Sequence, residues 1–78
     1  MTEQEQIKYV KRYYAHIKDL KDPSEAVQLS AVSNDGCAIY YIKNPSEAVQ
    51  LAAVSQDTDA IRFIKNPCEK VKLLQLFA

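Results

Sequence analysis

One short segment occurs three times in this chain at a constant spacing. Its prolines are Pro23, Pro45 and Pro67, so the period is 22 residues in both intervals (45 − 23 and 67 − 45). Comparison of residues 23–44 with residues 45–66 gives 16 identities in 22 positions. A constant period of this length indicates a repeat architecture, in which each unit buries its apolar face against its neighbours.

Each copy carries the same signal for the start of a helix. Asp22 is predicted to be the N-cap and Pro23 the first helical residue, because proline has a helical φ and lacks an N–H that would have no partner there. Glu25 then completes a capping box with Asp22. The pairs Asn44 with Glu47 and Asn66 with Glu69 repeat this arrangement.

The pattern predicts a longer helix followed by a short one in each unit. The longer helices are Pro23–Ser33, Pro45–Gln56 and Pro67–Ala78, and the short ones are Cys37–Lys43 and Asp59–Lys65. Gly36 or Asn34 is predicted to end the first long helix in the left-handed conformation. In the second long helix the packing face is predicted to centre on Ala48, Leu51, Ala52 and Ser55.

Residues 2 to about 20 are predicted to form one long helix. Thr2 and Glu5 form a capping box, and an apolar face follows at helical spacing: Ile7, Val10, Tyr14 and Ile17. The fold class is therefore all-α, with about two and a half α-solenoid-like helical hairpins after an N-terminal helix. The single domain 1–78 divides into 1–21 (N-terminal helix), 22–43 (repeat 1), 44–65 (repeat 2) and 66–78 (partial repeat 3).

The repeated pattern resembles a known family. Asn-Pro-Ser-Glu-x-Val-Gln-Leu-x-Ala-Val, followed by Ala-Ile-x-Tyr/Phe-Ile-Lys-Asn-Pro, is similar to the helical repeat called domain of unknown function forty-one sixteen. The resemblance covers residues 17–73, and the third unit departs from it at Lys70 and Lys72. It implies a helical repeat fold and no activity, cofactor or catalytic residue.

The composition is that of a soluble folded protein. The apolar fraction is 47%, and the ten basic residues balance the ten acidic ones. No apolar run is long enough to span a membrane, and the polar N-terminus is unlike a signal peptide. Cys37 and Cys68 show neither a pairing pattern nor metal-ligand spacing, so reduced thiols and a cytoplasmic location are expected.

The sequence contains no recognisable catalytic constellation. His16 is the single histidine and is expected to be a face residue of the first helix. Cys68 lies near a helix N-terminus, where a thiol can become reactive, but its counterparts are Ser24 and Ser46, so a small polar replacement is the preferred interpretation. The repeated glutamates are explained as capping residues. We therefore expect no enzymatic activity, no cofactor and no metal.

Tyrosines are the residues most typical of a binding surface here. Tyr9, Tyr13, Tyr40 and Arg62 are predicted to bind a partner protein, because tyrosine and arginine are favoured interface anchors. The alternative is that these residues are half-buried boundary residues. For each of Tyr14 and Tyr41, a position in the core and a position outside it are equally expected.

Nucleic acid is the alternative partner. Lys21, Lys43 and Lys65 occupy equivalent positions and would line one edge of the stack, and repeats of this kind can read a single strand. The zero net charge opposes this interpretation, and lysines at helix ends also have a structural reason to be there.

The C-terminal segment is unusually apolar for a terminal repeat. Its apolar residues, predicted to mediate a homodimer, are Leu73, Leu74, Leu76 and Phe77. The equally weighted alternative is that they fill the space left by the missing short helix.

These observations predict a non-enzymatic protein-protein interaction module. A chain of 78 residues that begins at Met1 is expected to be a whole gene product. Small binding domains without catalytic residues are typical of viral or mobile-element inhibitors of host defence, anti-CRISPR proteins among them. Such an inhibitor would act in the host cytoplasm by blocking a surface, since the acidic excess of a DNA mimic is absent.

Overall fold

The structure is a computed structural model that describes residues 2–76, with side chains described for residues 2–73. Four α-helices alternate with three 3₁₀ helices: α1 (Glu3–Arg12), η1 (Tyr14–Asp19), α2 (Glu25–Asn34), η2 (Gly36–Tyr41), α3 (Glu47–Gln56), η3 (Thr58–Phe63) and α4 (Glu69–Leu76). Over these residues there is no β-strand, so the all-α prediction is confirmed.

The α-helices begin at the sequence period. Successive helices start 22 residues apart, at Glu3, Glu25, Glu47 and Glu69 (25 − 3, 47 − 25 and 69 − 47). Each α-helix packs on the next one along the chain, and the three 3₁₀ helices pack on one another in the same order. The described residues therefore form an elongated body of 39 × 19 × 15 Å.

The predicted long N-terminal helix is wrong. α1 ends at Arg12, and Tyr13 has an extended backbone with φ −160° and ψ 120° before η1 begins. Asp35 and Asp57 adopt nearly the same extended conformation before η2 and η3. The first part of the chain thus has the same order of elements as the two repeats, with lysines and tyrosines replacing many of the repeated residues.

The predicted N-caps of the repeats are also wrong. The N-caps are Ser24 and Ser46, whose hydroxyls accept the N–H groups of Val27 and Val49 at 3.4 and 3.3 Å. Asp22, the predicted cap, has φ 52° and is the one non-glycine residue with positive φ in the described part of the chain. The capping box of Thr2 with Glu5 is confirmed.

The repeated glutamates connect consecutive units instead of completing capping boxes. Ser24 Oγ donates a hydrogen bond to Glu3 Oε2 at 2.7 Å, and Ser46 Oγ donates one to Glu25 Oε1. Where the third unit has Cys68 in place of serine, Lys70 Nζ contacts Glu47 Oε1 at 3.0 Å instead. A charged partner thus replaces the hydroxyl at the last junction.

Gly36 is required for close packing and not for a left-handed turn. Neither Gly36 nor Asn34 has a positive φ, so the predicted left-handed helix end is wrong. A Cβ at Gly36 would lie 2.7 Å from the carbonyl oxygen of Ala53 and 3.1 Å from Asp57 Cβ. The absence of a side chain therefore lets η2 lie directly against α3.

Small and β-branched residues form the core. Its fully buried members include Val10, Ile17, Val27, Ala31, Val32, Ile39, Val49, Ala53 and Val71. On α3 the buried face contains Val49, Gln50, Ala53 and Val54, whereas Ala48 and Ser55 are exposed, so the predicted centre of this face is wrong. The Gln50 amide joins two units by donating to the Pro45 carbonyl and accepting the Cys68 N–H at 2.7 Å.

Candidate functional site

Among the residues whose side chains the structure describes, seven aromatic rings form a continuous row that begins on α1 and runs along the three 3₁₀ helices. Consecutive ring centroids lie between 4.1 and 6.3 Å apart, within the usual range for aromatic pairs. In order of contact, the members of this aromatic row are Tyr9, His16, Tyr13, Tyr14, Tyr41, Tyr40 and Phe63. Rings from all three units thus contribute to one surface.

Hydrogen bonds fix the N-terminal end of the row. The Tyr9 ring stacks on His16 at 4.1 Å with an interplanar angle of 11°, and Tyr9 Oη donates to Asp19 Oδ2 at 2.9 Å. The bond to Asp19 is also the main cause that raises the pKa of Tyr9. His16 Nδ1 lies 2.9 Å from the Tyr9 carbonyl oxygen, an acceptor, so this nitrogen carries the proton. Both ends of Tyr9 are therefore anchored.

Tyr13 occupies a position that a capping aspartate has in the other two units. Asp35 and Asp57 each accept a backbone N–H at the start of η2 and η3, at 2.9 and 3.0 Å. Tyr13 makes no side-chain capping bond and is 53% exposed, while its ring contacts Tyr14 and His16. The first unit thus has an exposed ring in place of a helix cap.

The other end of the row is still more exposed. Tyr40 is 64% exposed and packs edge-to-face against both Tyr41 and Phe63, at 5.1 and 5.5 Å. Lys18 Nζ lies 5.8 Å from the centroid of the Tyr41 ring. Phe63, 38% exposed, is a member of the row that was not predicted from its chemistry. Its equivalence to Tyr41 one period earlier (63 − 41 = 22) was the signal for it.

The predicted binding residues are brought together only in part. Tyr9, Tyr13 and Tyr40 belong to the aromatic row, with Tyr9 half-buried. Arg62 is exposed on η3, and in the described part of the chain it makes no ring contact or ion pair. Tyr14 and Tyr41 are half-buried and pack against the core, and burial raises the pKa of Tyr14.

A groove of about 620 Å³ begins where the aromatic row ends. It lies between the C-terminal ends of η2 and η3 and the loops that follow them. Its lining residues are Tyr40, Tyr41, Ile42, Lys43, Asn44, Pro45, Gln50, Phe63, Ile64, Lys65 and Asn66. Lys43 and Lys65, from the predicted lysine edge, thus lie in one groove, and Lys21 is not among its lining residues.

The groove is electropositive. Among the residues whose side chains are described, its lining includes two lysines and no carboxylate. Over the described residues, the lysines with an ion-pair partner are Lys70 and Lys72, so Lys43 and Lys65 have none. The side chains of Asn44 and Asn66 are exposed and make no hydrogen bond within the described part of the chain.

The predicted self-association residues lie at the limit of what the structure describes. Leu73 is 52% exposed on α4. The side chains of Leu74 and Leu76, and the whole of Phe77, lie outside the described residues. Exposure of Leu73 is expected for an interface residue, and the homodimer stays a prediction.

The remaining reactive side chains are two cysteines and one histidine. Within residues 2–73 there is no group of three or more metal-ligating side chains. Cys37 and Cys68 are half-buried free thiols, and burial raises the pKa of Cys37. The ring of His16 is occupied by its contacts with Tyr9 and Tyr13.

No protein-family model, curated protein or solved structure matches this chain. The resemblance to domain of unknown function forty-one sixteen therefore stays a prediction. Among the helices of the described residues, none combines the length and the apolar character that crossing a membrane requires.

Proposed function

We propose that this chain is a non-enzymatic binding module that holds a partner protein on its aromatic row. The observation that carries the proposal is the continuous contact of seven rings, of which Tyr13, Tyr40 and Phe63 are 53%, 64% and 38% exposed. Aromatic side chains bury much area with few rotatable bonds, and tyrosine also offers a hydroxyl at the rim.

The environment of the rings supports a binding role over a purely structural one. Tyr13 replaces a capping aspartate, and loss of an N-cap costs about 0.5–2 kcal/mol. The Tyr13 ring packs on Tyr14 and His16 and still leaves 53% of the residue exposed, an area that a partner can bury. Contact with a partner gives a physical reason for its presence there.

Nucleic acid is a second candidate, and the groove is the observation that favours it. Lys43 and Lys65 lie there beside the exposed ring of Tyr40, and a cation next to a stacking ring suits a single strand. The zero net charge of the chain counts against it, since neutralised phosphates dominate such affinity.

Selection from a displayed library of protein segments would test the main proposal. We expect the wild type to select segments that the double variant, Tyr13→Ser with Tyr40→Ser, no longer binds. The matched control is Ser33→Ala with Ser55→Ala, two exposed positions outside the row, which should retain every binder. Circular dichroism would check that all variants stay helical. Binders that tolerate the tyrosine double variant would contradict the assignment to the aromatic row.

The homodimer predicted from the C-terminal segment is a separate proposal. Exposure of Leu73 supports it. Light scattering coupled to size exclusion would give the solution mass of the wild type and of Leu73→Asp. A dimer that becomes a folded monomer would support the proposal, and a monomeric wild type would refute it.

Inhibition of a host defence complex, as an anti-CRISPR protein does, would be one use of the proposed binding. It stays a prediction from the sequence. Such inhibition requires that the aromatic row binds over a surface that the partner needs for its activity.

A further inference from the structure

We propose that the groove between η2 and η3 binds an extended, acidic segment of the partner protein in a polyproline II conformation. This inference rests on the proposed function, because it names the part of the partner that reaches beyond the aromatic row. Three properties of the groove support it: its charge, its unpaired amides and its aromatic wall.

The charge of the groove selects an anionic ligand. The whole chain has ten basic and ten acidic residues, yet the part of the groove lining that the structure describes has two lysines and no carboxylate. Lys43 and Lys65 are exposed and, over the described residues, make no ion pair. Each ammonium group is therefore available to a carboxylate of the partner, and a charge-assisted hydrogen bond is stronger than a neutral one.

The amides of the groove suit a polypeptide backbone. Asn44 and Asn66 are equivalent residues of consecutive units (66 − 44 = 22). Each side-chain amide offers a donor and an acceptor, as does each peptide unit of an extended chain. Since neither amide is hydrogen-bonded within the described part of the chain, both can pair with a partner backbone.

The aromatic wall favours the polyproline II conformation. Tyr40, Tyr41 and Phe63 line the groove with their rings in contact through Tyr40, and aromatic-lined grooves are a common binding site for proline-rich segments. This conformation has about three residues per turn and a rise of about 3.1 Å per residue, with its backbone polar groups free. The ligand therefore arrives with its backbone already extended, which lowers the entropy cost of binding.

The repeat gives the spacing of the acidic residues. Packed helices lie about 8–10 Å apart, so we expect the backbones of equivalent residues of consecutive units, such as Lys43 and Lys65, to lie at about this distance. Three residues of a polyproline II chain rise about 9 Å and return to the same face. Carboxylates at every third residue would therefore meet both lysines.

A single nucleic-acid strand is the weaker occupant. It would place a phosphate at each nucleotide, and the groove offers two cations within a chain of zero net charge. The unpaired amides also lie beside apolar lining residues, Ile42, Pro45 and Ile64, which suit proline rings better than a phosphate backbone.

Fluorescence anisotropy with labelled synthetic probes tests the inference. The probes are a peptide with the repeat Pro-Pro-Glu, the matched peptides Pro-Pro-Gln and Pro-Pro-Lys, and a single-stranded oligothymidylate. We expect the acidic peptide to bind with at least about tenfold higher affinity than the glutamine peptide, and its affinity to fall as salt is added.

The variants locate the binding. Lys43→Gln with Lys65→Gln should weaken the acidic peptide about tenfold, and Lys8→Gln with Lys11→Gln is the control of equal charge on exposed positions of α1. Equal weakening by both pairs would show general charge attraction and overturn the inference. Equal binding of the glutamine and acidic peptides, or tighter binding of the oligothymidylate, would also overturn it.

One further variant separates this inference from the proposed function. Tyr13 does not line the groove, so Tyr13→Ser should leave the acidic peptide's affinity unchanged while lowering capture of library binders. If library binders depend on Tyr13 and the acidic peptide does not bind, the inference fails alone. If the peptide binds through the lysines and no library binder depends on the row, the proposed function fails.

Discussion

Replacement of Gly36 by alanine is the sharpest test of the packing described above. The added Cβ would lie 2.7 Å from the Ala53 carbonyl oxygen, 3.1 Å from Asp57 Cβ and 3.4 Å from Ala60 Cβ. The nearest of these atoms belongs to the backbone of α3 and cannot rotate away. The whole contact between η2 and α3 must therefore widen.

The expected loss of stability follows from two opposing effects. Overpacking of a core costs about 1–3 kcal/mol. Alanine also restricts the unfolded chain, which favours the folded state by about 0.4–1 kcal/mol where the native backbone allows it. We expect a net decrease of about 1–2 kcal/mol in the free energy of unfolding. For a chain of this size that lowers Tm by roughly 4–16 °C.

Thermal unfolding followed by circular dichroism would measure this effect. The control is Thr58→Ala, since Thr58 is exposed and lies one period after Gly36 (58 − 36 = 22), and it should change stability by less than about 0.5 kcal/mol. Gly36→Asn adds a second test. Asparagine tolerates a left-handed backbone, but its side chain would meet the same close contacts as alanine, so it should destabilise the fold as well. An alanine variant as stable as the wild type, or an asparagine variant near it, would refute the packing argument.

Three further predictions follow from individual side chains. Gln50→Ala leaves the Cys68 N–H without its acceptor, so urea unfolding should show a loss of about 1–3 kcal/mol, and an unchanged midpoint would contradict this. In the wild type, the hydrogen bond from Tyr9 to Asp19 raises the pKa of Tyr9 above its ordinary 10.0, and Tyr9→Phe removes this bond. In urea unfolding, the wild type should therefore be more stable than the variant below pH 10, and this difference in the free energy of unfolding should vanish as the pH rises through the raised pKa. A difference that persists in strong alkali would contradict this prediction. Burial raises the pKa of Cys37, so iodoacetamide should alkylate it slowly at neutral pH and quickly in denaturant, and equal rates by mass spectrometry would argue against burial.

The helix starts show how far a local signal can be interpreted from sequence. Asp-Pro-Ser-Glu satisfies two registers: Asp22 as cap with Pro23 first in the helix, or Ser24 as cap with Pro23 before it. The structure has the second, with Ser24 Oγ both accepting the Val27 N–H and donating to Glu3. The contact with the preceding unit favours that register. A capping rule applied to one segment takes no account of contacts with another unit, so it cannot choose between the two registers.

Members of the candidate site could be predicted from the sequence where the residue type indicated them. Members that belong to it only because two helices pack together could not. Tyr9, Tyr13 and Tyr40 were expected from their chemistry, and all three lie in the row. Phe63 and the groove were missed, because both arise from the stacking of η3 beside η2. Arg62 shares its repeat position with Tyr40 but has no ring beside it in the described residues.

The sequence by itself determined the all-α class, the 22-residue spacing of the helices and the cap at Thr2, because periodicity and capping are local properties. The tertiary structure decided what depends on neighbours. The break at Tyr13, the 3₁₀ form of the short helices and the buried face of α3 were not predicted from the local pattern. The close approach of consecutive units requires glycine at position 36 and joins rings from three units into one row. The rings of this row are spread along the chain from Tyr9 to Phe63, and only the packing of the units brings them into contact.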